Sequence, residues 1–397
     1  MINLLVLLVS SKQLGGEIIG QVSLLLLNIT IIQLINEVFT GYSLVHFIPT
    51  SSVKNIYKTG LVWTVICILI LNALFLMLHI GLRDLAVHVA FLSFIGTLHS
   101  FHLVILLGKE KIKSYNLLMS LQPALLLITL FVNVFILKTK SLNSYLIALY
   151  ISFCFSFVMS LYPILKLLTD STKTHTLTTN TAAIFKNGFI NQIGNLAHVL
   201  GGRYNFYLLS STLLVGVFSR ANSLMESAWV ISGSVTPIVL THVANQKEVS
   251  TNGRLTFLLA KVSFLLSVLC VLLILVLSAN LFEYILGNDF KDIKTLMLYL
   301  SPGILCISFS TVISHYFSGL GRQSVQLIAN SLGLAATVCL GPFLIARYQL
   351  VGACYTTSVS YFIQASTLVI AFMNQNNLHL KDIFGLRKEL KLLKKGS

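Results

Sequence analysis

Charge is what this sequence lacks most. Asp, Glu, Lys and Arg make up 10% of its 397 residues, against about 25% in an ordinary soluble domain, and that excludes a water-soluble globular protein. The acidic sign is the scarcer, with 12 Asp and Glu against 27 Lys and Arg. No G-x-x-x-x-G-K-[ST] stretch occurs, which excludes ATP use through that phosphate loop. No polar loop is long enough to house an extramembrane catalytic domain, and no Ser/His/Asp set or carboxylate pair stands on a loop. The 6 cysteines all fall inside apolar runs, where they read as small buried hydrophobes rather than a disulfide framework or a metal site.

What is abundant is apolar sequence. Hydrophobic residues reach 56%, with a mean hydropathy of +0.87. Continuous Leu/Ile/Val/Phe runs of about 20 residues recur along the chain, the length a helix needs to cross the hydrocarbon core. A transmembrane β-barrel would show short alternating segments instead. The fold class is therefore all-α, a polytopic membrane protein. Runs near 18–48, 60–81, 85–107, 115–137, 143–167, 183–208, 212–242, 256–285, 294–318, 324–346 and 350–373 are read as full spans. Residues 1–10 are too short to cross and look like the second half of a helix whose beginning is absent, which makes about twelve helices in all.

Two weak internal matches suggest a repeat. His102 precedes Gly108-Lys109 as His315 precedes Gly321-Arg322, and Gly20-Gln-Val-Ser23 has a counterpart in Gly216-Val-Phe-Ser219. The expected organisation is an N-terminal lobe over 1–167, a polar linker over 168–182, a C-terminal lobe over 183–373 and a basic tail over 374–397, two pseudo-repeated six-helix lobes around a central cavity. Lys and Arg concentrate in alternate loops, among them Lys54, Lys58, Lys109, Lys111 and Lys113, and in the tail from Lys381 to Lys395. Those loops and the C-terminus are expected on the cytoplasmic side, with the tail lying on anionic lipid. The bases thus have a topological explanation, and nucleic acid is not needed as a partner.

Polar residues inside the spans are not scattered. At 100° per residue, Ser219, Asn222, Ser223 and Glu226 share one narrow sector of their helix, with Arg220 on its flank. The preceding helix carries Asn187, Asn191, His198 and Asn205 on one face, with Arg203 close by. A charge at mid-membrane costs about 2.5–3.5 kcal/mol on insertion scales, so these stripes are expected to face each other or a watery cavity. In the first half, Glu37 lies on a face with Thr30, Gln33 and Thr40, and His46 follows further on. His88, His99 and His102 share a sector of another span; they could titrate near neutral pH, but no third ligand with metal spacing accompanies them. Asn, Ser and His also serve simply as helix-to-helix glue, whereas intramembrane Arg203, Arg220 and Glu226 are functional candidates by default.

These residues also resemble a family. The stretch LLVGVFSRANSLMESAWVISGS is similar to the eighth helix of Wzx-type polysaccharide flippases, in the multidrug/oligosaccharidyl-lipid/polysaccharide superfamily, through Gly216, Phe218, Ser219, Glu226 and Trp229. YILGNDFKDIKTLMLYLSPGIL resembles the entry into helix ten through Gly287, Phe290, Pro302 and Gly303; YFSGLGRQS matches the next turn through Gly319, Gly321 and Arg322. LIARYQLVGACYTTSVSYF carries the Gly352-Ala353 that opens helix twelve, and LGGEIIGQVSLLL with GYSLVHFIP resembles the beginning of the family. Departures are Asn205, where the family commonly has Asp, Gln349, where it often has Gly, and His46, where relatives often carry Arg or Lys. A coupling role for proton or sodium is therefore not carried over from that Asp.

The resemblance implies a transporter rather than an enzyme, without a cofactor. Its expected substrate is an oligosaccharide on undecaprenyl pyrophosphate, moved from the cytoplasmic to the periplasmic leaflet of a bacterial inner membrane for O-antigen or capsule assembly. Membrane lipids, a polysaccharide polymerase and a chain-length regulator are the partners it allows. The candidate cavity residues, read from the polar helix faces and intramembrane charges, are Arg203, Arg220, Glu226, Asn222, Ser219, Ser223, His198, Asn191, Asn205, His46 and Glu37. Two alternatives stay open: a cation-coupled multidrug exporter of the same superfamily, and a membrane glycosyltransferase or polymerase.

Overall fold

A computed structural model describes residues 2–170, 180–245 and 249–377. Of the expected linker 168–182 and basic tail 374–397, residues 171–179 and 378–397 lie outside the described residues. Helices joined by short turns make up the described residues, with no strand among them. In chain order they are α1 (Ile2–Thr40), α2 (Val53–Met77), α3 (Ala86–Gly108), α4 (Ile112–Phe131), α5 (Leu142–Asp170), α6 (Thr181–Arg203), α7 (Asn205–Leu208), α8 (Thr212–Asn245), α9 (Val249–Val276), α10 (Ala279–Leu286), α11 (Ile293–Gly319) and α12 (Gln323–Asn376). Eight helical stretches among the described residues are long and apolar enough to cross a membrane. α6 and α8, which carry the polar stripes, are not in that set. The all-α multi-pass architecture expected from composition is thus the one observed.

Two of the long helices are really pairs. α1 breaks at Gly15 (φ 80, ψ 169) and α12 at Gln349 (φ 50, ψ −123). At Gly15 the positive φ suits the residue, since glycine has no Cβ to clash. The helix that restarts there is capped from far along the chain, because Gly16 N–H donates to Asp289 Oδ2 at 2.7 Å. Gln349 pays the steric penalty that glycine avoids. At the other end, α1 stops at Thr40 and two 3₁₀ turns follow, so the expected span to residue 48 is shortened. Likewise the expected run 256–285 is two helices: α9 ends at Val276, and Ser278 Oγ accepts from Leu281 N at 3.2 Å to start α10.

The chain forms two compact units. The first comprises Met1–Leu196, Ser210–Val217 and Glu283–Phe290; the second comprises Ala197–Leu209, Phe218–Phe282 and Lys291–Ser397. In the first, Ile19, Val22, Leu25, Ile29 and Ile32 of α1 pack on Leu92 and Ile95 of α3 and on Leu149 and Phe153 of α5. A membrane offers no hydrophobic drive between helices, so close approach of small residues matters more. The sequence-matched glycines supply it: a Cβ on Gly20 would overlap the Thr212 carbonyl, and one on Gly216 would overlap the Gly16 carbonyl. The second unit has its own core in Val239, Phe257, Val312, Tyr316 and Phe372. There Pro302 removes the N–H that would meet the Leu298 carbonyl, and Ser301 Oγ donates to that carbonyl at 2.8 Å.

Candidate functional site

The second unit holds the charged cluster. α6 ends on Arg203, whose Nη2 donates to Glu226 Oε2 of α8 at 3.0 Å. Asn222 lies one turn before Glu226 and its Nδ2 donates to Oε1 at 2.9 Å. Both carboxylate oxygens are therefore occupied, and the two side chains keep 34% and 20% of their surface exposed. An ion pair of this kind removes much of the cost of placing either charge in a span. Only one of the five guanidinium N–H donors is needed for the bond to Glu226.

Around the pair is an aromatic and amide wall. His198 Nδ1 meets Gln364 Oε1 at 3.0 Å, while its ring stands edge-on to Trp229 at 5.3 Å and stacks near Tyr361 at 6.2 Å. Gln364 Nε2 in turn donates to Ser360 Oγ at 3.2 Å. A Cβ on Gly202 would overlap the Tyr361 hydroxyl, which places that phenol beside the end of α6. Trp, Tyr and amide groups beside a guanidinium make a surface with both stacking faces and hydrogen-bonding edges.

The remaining predicted residues fall in different places. Ser219 and Asn222 are buried at 5% and 1% exposure, Ser223 is half-buried, and Arg220 is half-buried on α8. Asn205 is fully buried, and its Nδ2 donates to Ala353 O at 3.1 Å and Thr357 Oγ1 at 2.9 Å. It ties α7 to α12 through an amide; a carboxylate in the same place would face a carbonyl with no proton to share. In the first unit, Asn191 is half-buried on α6, Glu37 is half-buried on α1 beside Gly41, and His46 is exposed on the 3₁₀ turn that follows α1. No group of three or more His, Cys, Asp and Glu that would hold a metal is found among the described residues.

The sequence reading missed the α12 contribution. Thr357, Ser360, Tyr361 and Gln364 stand at i, i+3, i+4 and i+7, a polar stripe as clear as those on α6 and α8. Lys261 was missed as well: it is 6% exposed within α9, with Nζ 4.4 Å from the Phe257 ring centre.

With fold and cluster described, the chain can be compared with known proteins. No protein-family model matches it, nor does any curated protein sequence. Among solved structures, the fold resembles those of MATE transporters and of MurJ. The inward-facing conformation of a multidrug resistance MATE family transporter of the MOP superfamily is similar, with a TM-score of 0.74, 16% identity, and 100% of this chain matched to 96% of that one. The lipid II flippase MurJ in an inward closed conformation is similar with a TM-score of 0.66 and 15% identity, over 94% of this chain and 88% of that one. An outward-facing MATE transporter of the superfamily has a TM-score of 0.62 at 16% identity, over 100% of this chain and 93% of that one. At these identities the likeness concerns the fold.

Proposed function

We propose that this protein is a flippase for polyprenyl-pyrophosphate-linked oligosaccharides, acting in a bacterial inner membrane with its C-terminus in the cytoplasm. The observation that carries the reading is the Arg203 fork, fixed by Glu226 at 3.0 Å while Asn222 occupies the second carboxylate oxygen at 2.9 Å. Arg203 and Arg220 against Glu226 leave an excess of positive charge among the three, as a pyrophosphate requires. Arg rather than Lys suits the task, because its planar donors match two phosphate oxygens at once. Trp229, Tyr361, His198 and Asn222 offer the faces and edges that sugars use, and the polyprenyl tail would remain in lipid. Alternating access by the two proposed lobes, 1–167 and 183–373, would carry the headgroup across. A polysaccharide polymerase and a chain-length regulator are the partners such a product would meet.

The test is complementation of a strain that lacks its own flippase, with insertion of each variant checked in the membrane fraction. Arg203→Ala and Arg220→Ala should insert yet restore little surface polysaccharide. Normal polysaccharide from both variants would remove the cationic-fork mechanism. A second reading, export of organic cations, rests on Glu226, whose carboxylate sits in the same aromatic surroundings. It expects a strain that overproduces the protein to gain resistance to cationic dyes, and Glu226→Gln to abolish that gain.

A further inference from the structure

The histidines of α3 lie in the first unit and play no part in the charged cluster. His102 is fully buried and both ring nitrogens are engaged, Nδ1 with Ser160 Oγ at 2.6 Å and Nε2 with the Tyr57 hydroxyl at 3.2 Å. The tautomer follows from proton counting. Ser160 has one hydroxyl proton and gives it to the Phe157 carbonyl at 2.7 Å, so His102 Nδ1 carries the hydrogen and Nε2 accepts from Tyr57. This ring is satisfied in its neutral form and held on three helices.

His99, one turn earlier on α3, is the opposite case. It is 2% exposed, and neither ring nitrogen makes a hydrogen bond. The backbone carbonyls of Leu118 on α4 and Ser156 on α5 lie beside the ring, outside good hydrogen-bonding geometry. Ser156 Oγ and Thr97 Oγ1, also buried, make no hydrogen bond either. A neutral imidazole has one N–H and cannot donate to both carbonyls, whereas an imidazolium has two. The pocket therefore offers acceptors for the charged form, and small movements of α4 or α5 would bring them into range. Buried polar groups left without partners call for an explanation of this kind.

The titratable neighbours are few. From α2 comes Tyr57, which meets His102. α5 brings Cys154, two residues before Ser156, and Tyr150, whose hydroxyl is 2.7 Å from His88 Nδ1. On α4, Tyr115 stands three residues before Leu118. From α1, Gln33 lies over Gly96, and Glu37 follows one turn later. His88 and His102 are the titratable residues on α3 itself.

We propose that His99 is a proton-binding site in the first unit, with Leu118 O and Ser156 O as the acceptors of its charged form and His102, Tyr57 and Ser160 as the adjoining hydrogen-bonded path. Proton binding there would favour the arrangement of α3, α4 and α5 in which those carbonyls close on the ring. It gives the chain an ion-coupling element that depends neither on Asn205 nor on the identity of the transported substrate.

The test uses the full-length protein in lipid nanodiscs, with histidine labelled in its ring nitrogens, titrated by NMR from about pH 8 to about pH 3, through and well below the ordinary histidine range. The His99 signals are assigned by their loss in His99→Gln. The expected result is that the separated ring resonances of a neutral tautomer merge into the close pair of an imidazolium, with the His102 signals shifting at the same midpoint. In proteoliposomes, a pH jump should then release about one proton fewer per chain from His99→Gln than from the wild type, as expected for one lost site. His102→Gln, which keeps His99, should move the midpoint without abolishing the release. A His99 ring that stays neutral across the whole range overturns the proposal, as does identical proton release from wild type and both variants. If His99→Gln does not insert, the wild-type titration and His102→Gln still decide the matter.

Discussion

The two units solve the problem of polarity inside a membrane by different chemistry. In the second, an arginine and a glutamate meet at 3.0 Å and an asparagine completes the carboxylate, so opposite charges are held together at a surface that is still partly open. In the first, the polar path is uncharged when satisfied, an imidazole between a serine and a tyrosine, and the helices are brought together by glycines against carbonyls. An ion pair keeps a charge available for a charged ligand. A neutral imidazole path holds no charge until a proton arrives. The difference separates the two proposals: the one for headgroup recognition rests on the second unit, the one for proton binding on the first.

The comparison can be broken most severely at the glycine crossing. Gly20→Leu should prevent the first unit from assembling, a loss of more than about 3 kcal/mol from forcing a side chain into backbone, seen as absence of monodisperse protein on size-exclusion chromatography. A well-behaved variant would mean that the two backbones do not approach as described. Next comes Arg203→Ala, which strands Glu226 and should cost about 1–3 kcal/mol, less than for a fully buried pair because 34% and 20% of the two side chains stay exposed. Thermal unfolding in detergent would measure it. Glu226→Gln should cost less than Arg203→Ala, since the amide can still accept from the guanidinium; equal costs would argue against the ion pair as the organising contact.

Smaller effects sharpen the picture. Gln349→Gly should stabilise the protein by about 1 kcal/mol, because a positive φ strains any residue with a Cβ, and a lowered melting temperature would count against the break in α12. Asp289→Ala should cost about 1 kcal/mol, as for loss of an N-terminal helix cap, while Asp289→Asn should retain most of the stability. If the two Asp289 variants melt alike, the bond to Gly16 contributes little.

Much of the architecture was legible in the residues. Long apolar runs require helices in a membrane, and within the second unit Arg203 at the end of α6 meets Glu226 of α8, which Asn222 braces from its own helix. Which pairs would form was not legible, because Arg203 lies on a different helix from Glu226 and periodicity relates only residues of one helix. Helix ends were less readable still. Ser278 stops one span and starts another through a single hydroxyl, and the cap on Gly16 comes from Asp289, a residue 273 positions away. The polar stripe on α12 was readable too, yet hidden because Thr, Ser and Gln are individually common as helix glue. No periodicity could reveal that His99 lacks hydrogen bonds while His102 has two, since that depends on the neighbours each turn of α3 happens to meet.

The most direct measurement is made on purified protein in proteoliposomes carrying a fluorescent polyprenyl-pyrophosphate oligosaccharide in one leaflet, with exposure at the other read by a membrane-impermeant quencher. Transbilayer movement should be rapid with the wild type, fall by roughly tenfold or more with Arg203→Ala, the equivalent of about 1.4 kcal/mol of lost headgroup stabilisation, and be unaffected by cationic dyes. Movement of dye without movement of the lipid-linked sugar, or lipid movement untouched by Arg203→Ala, would contradict it.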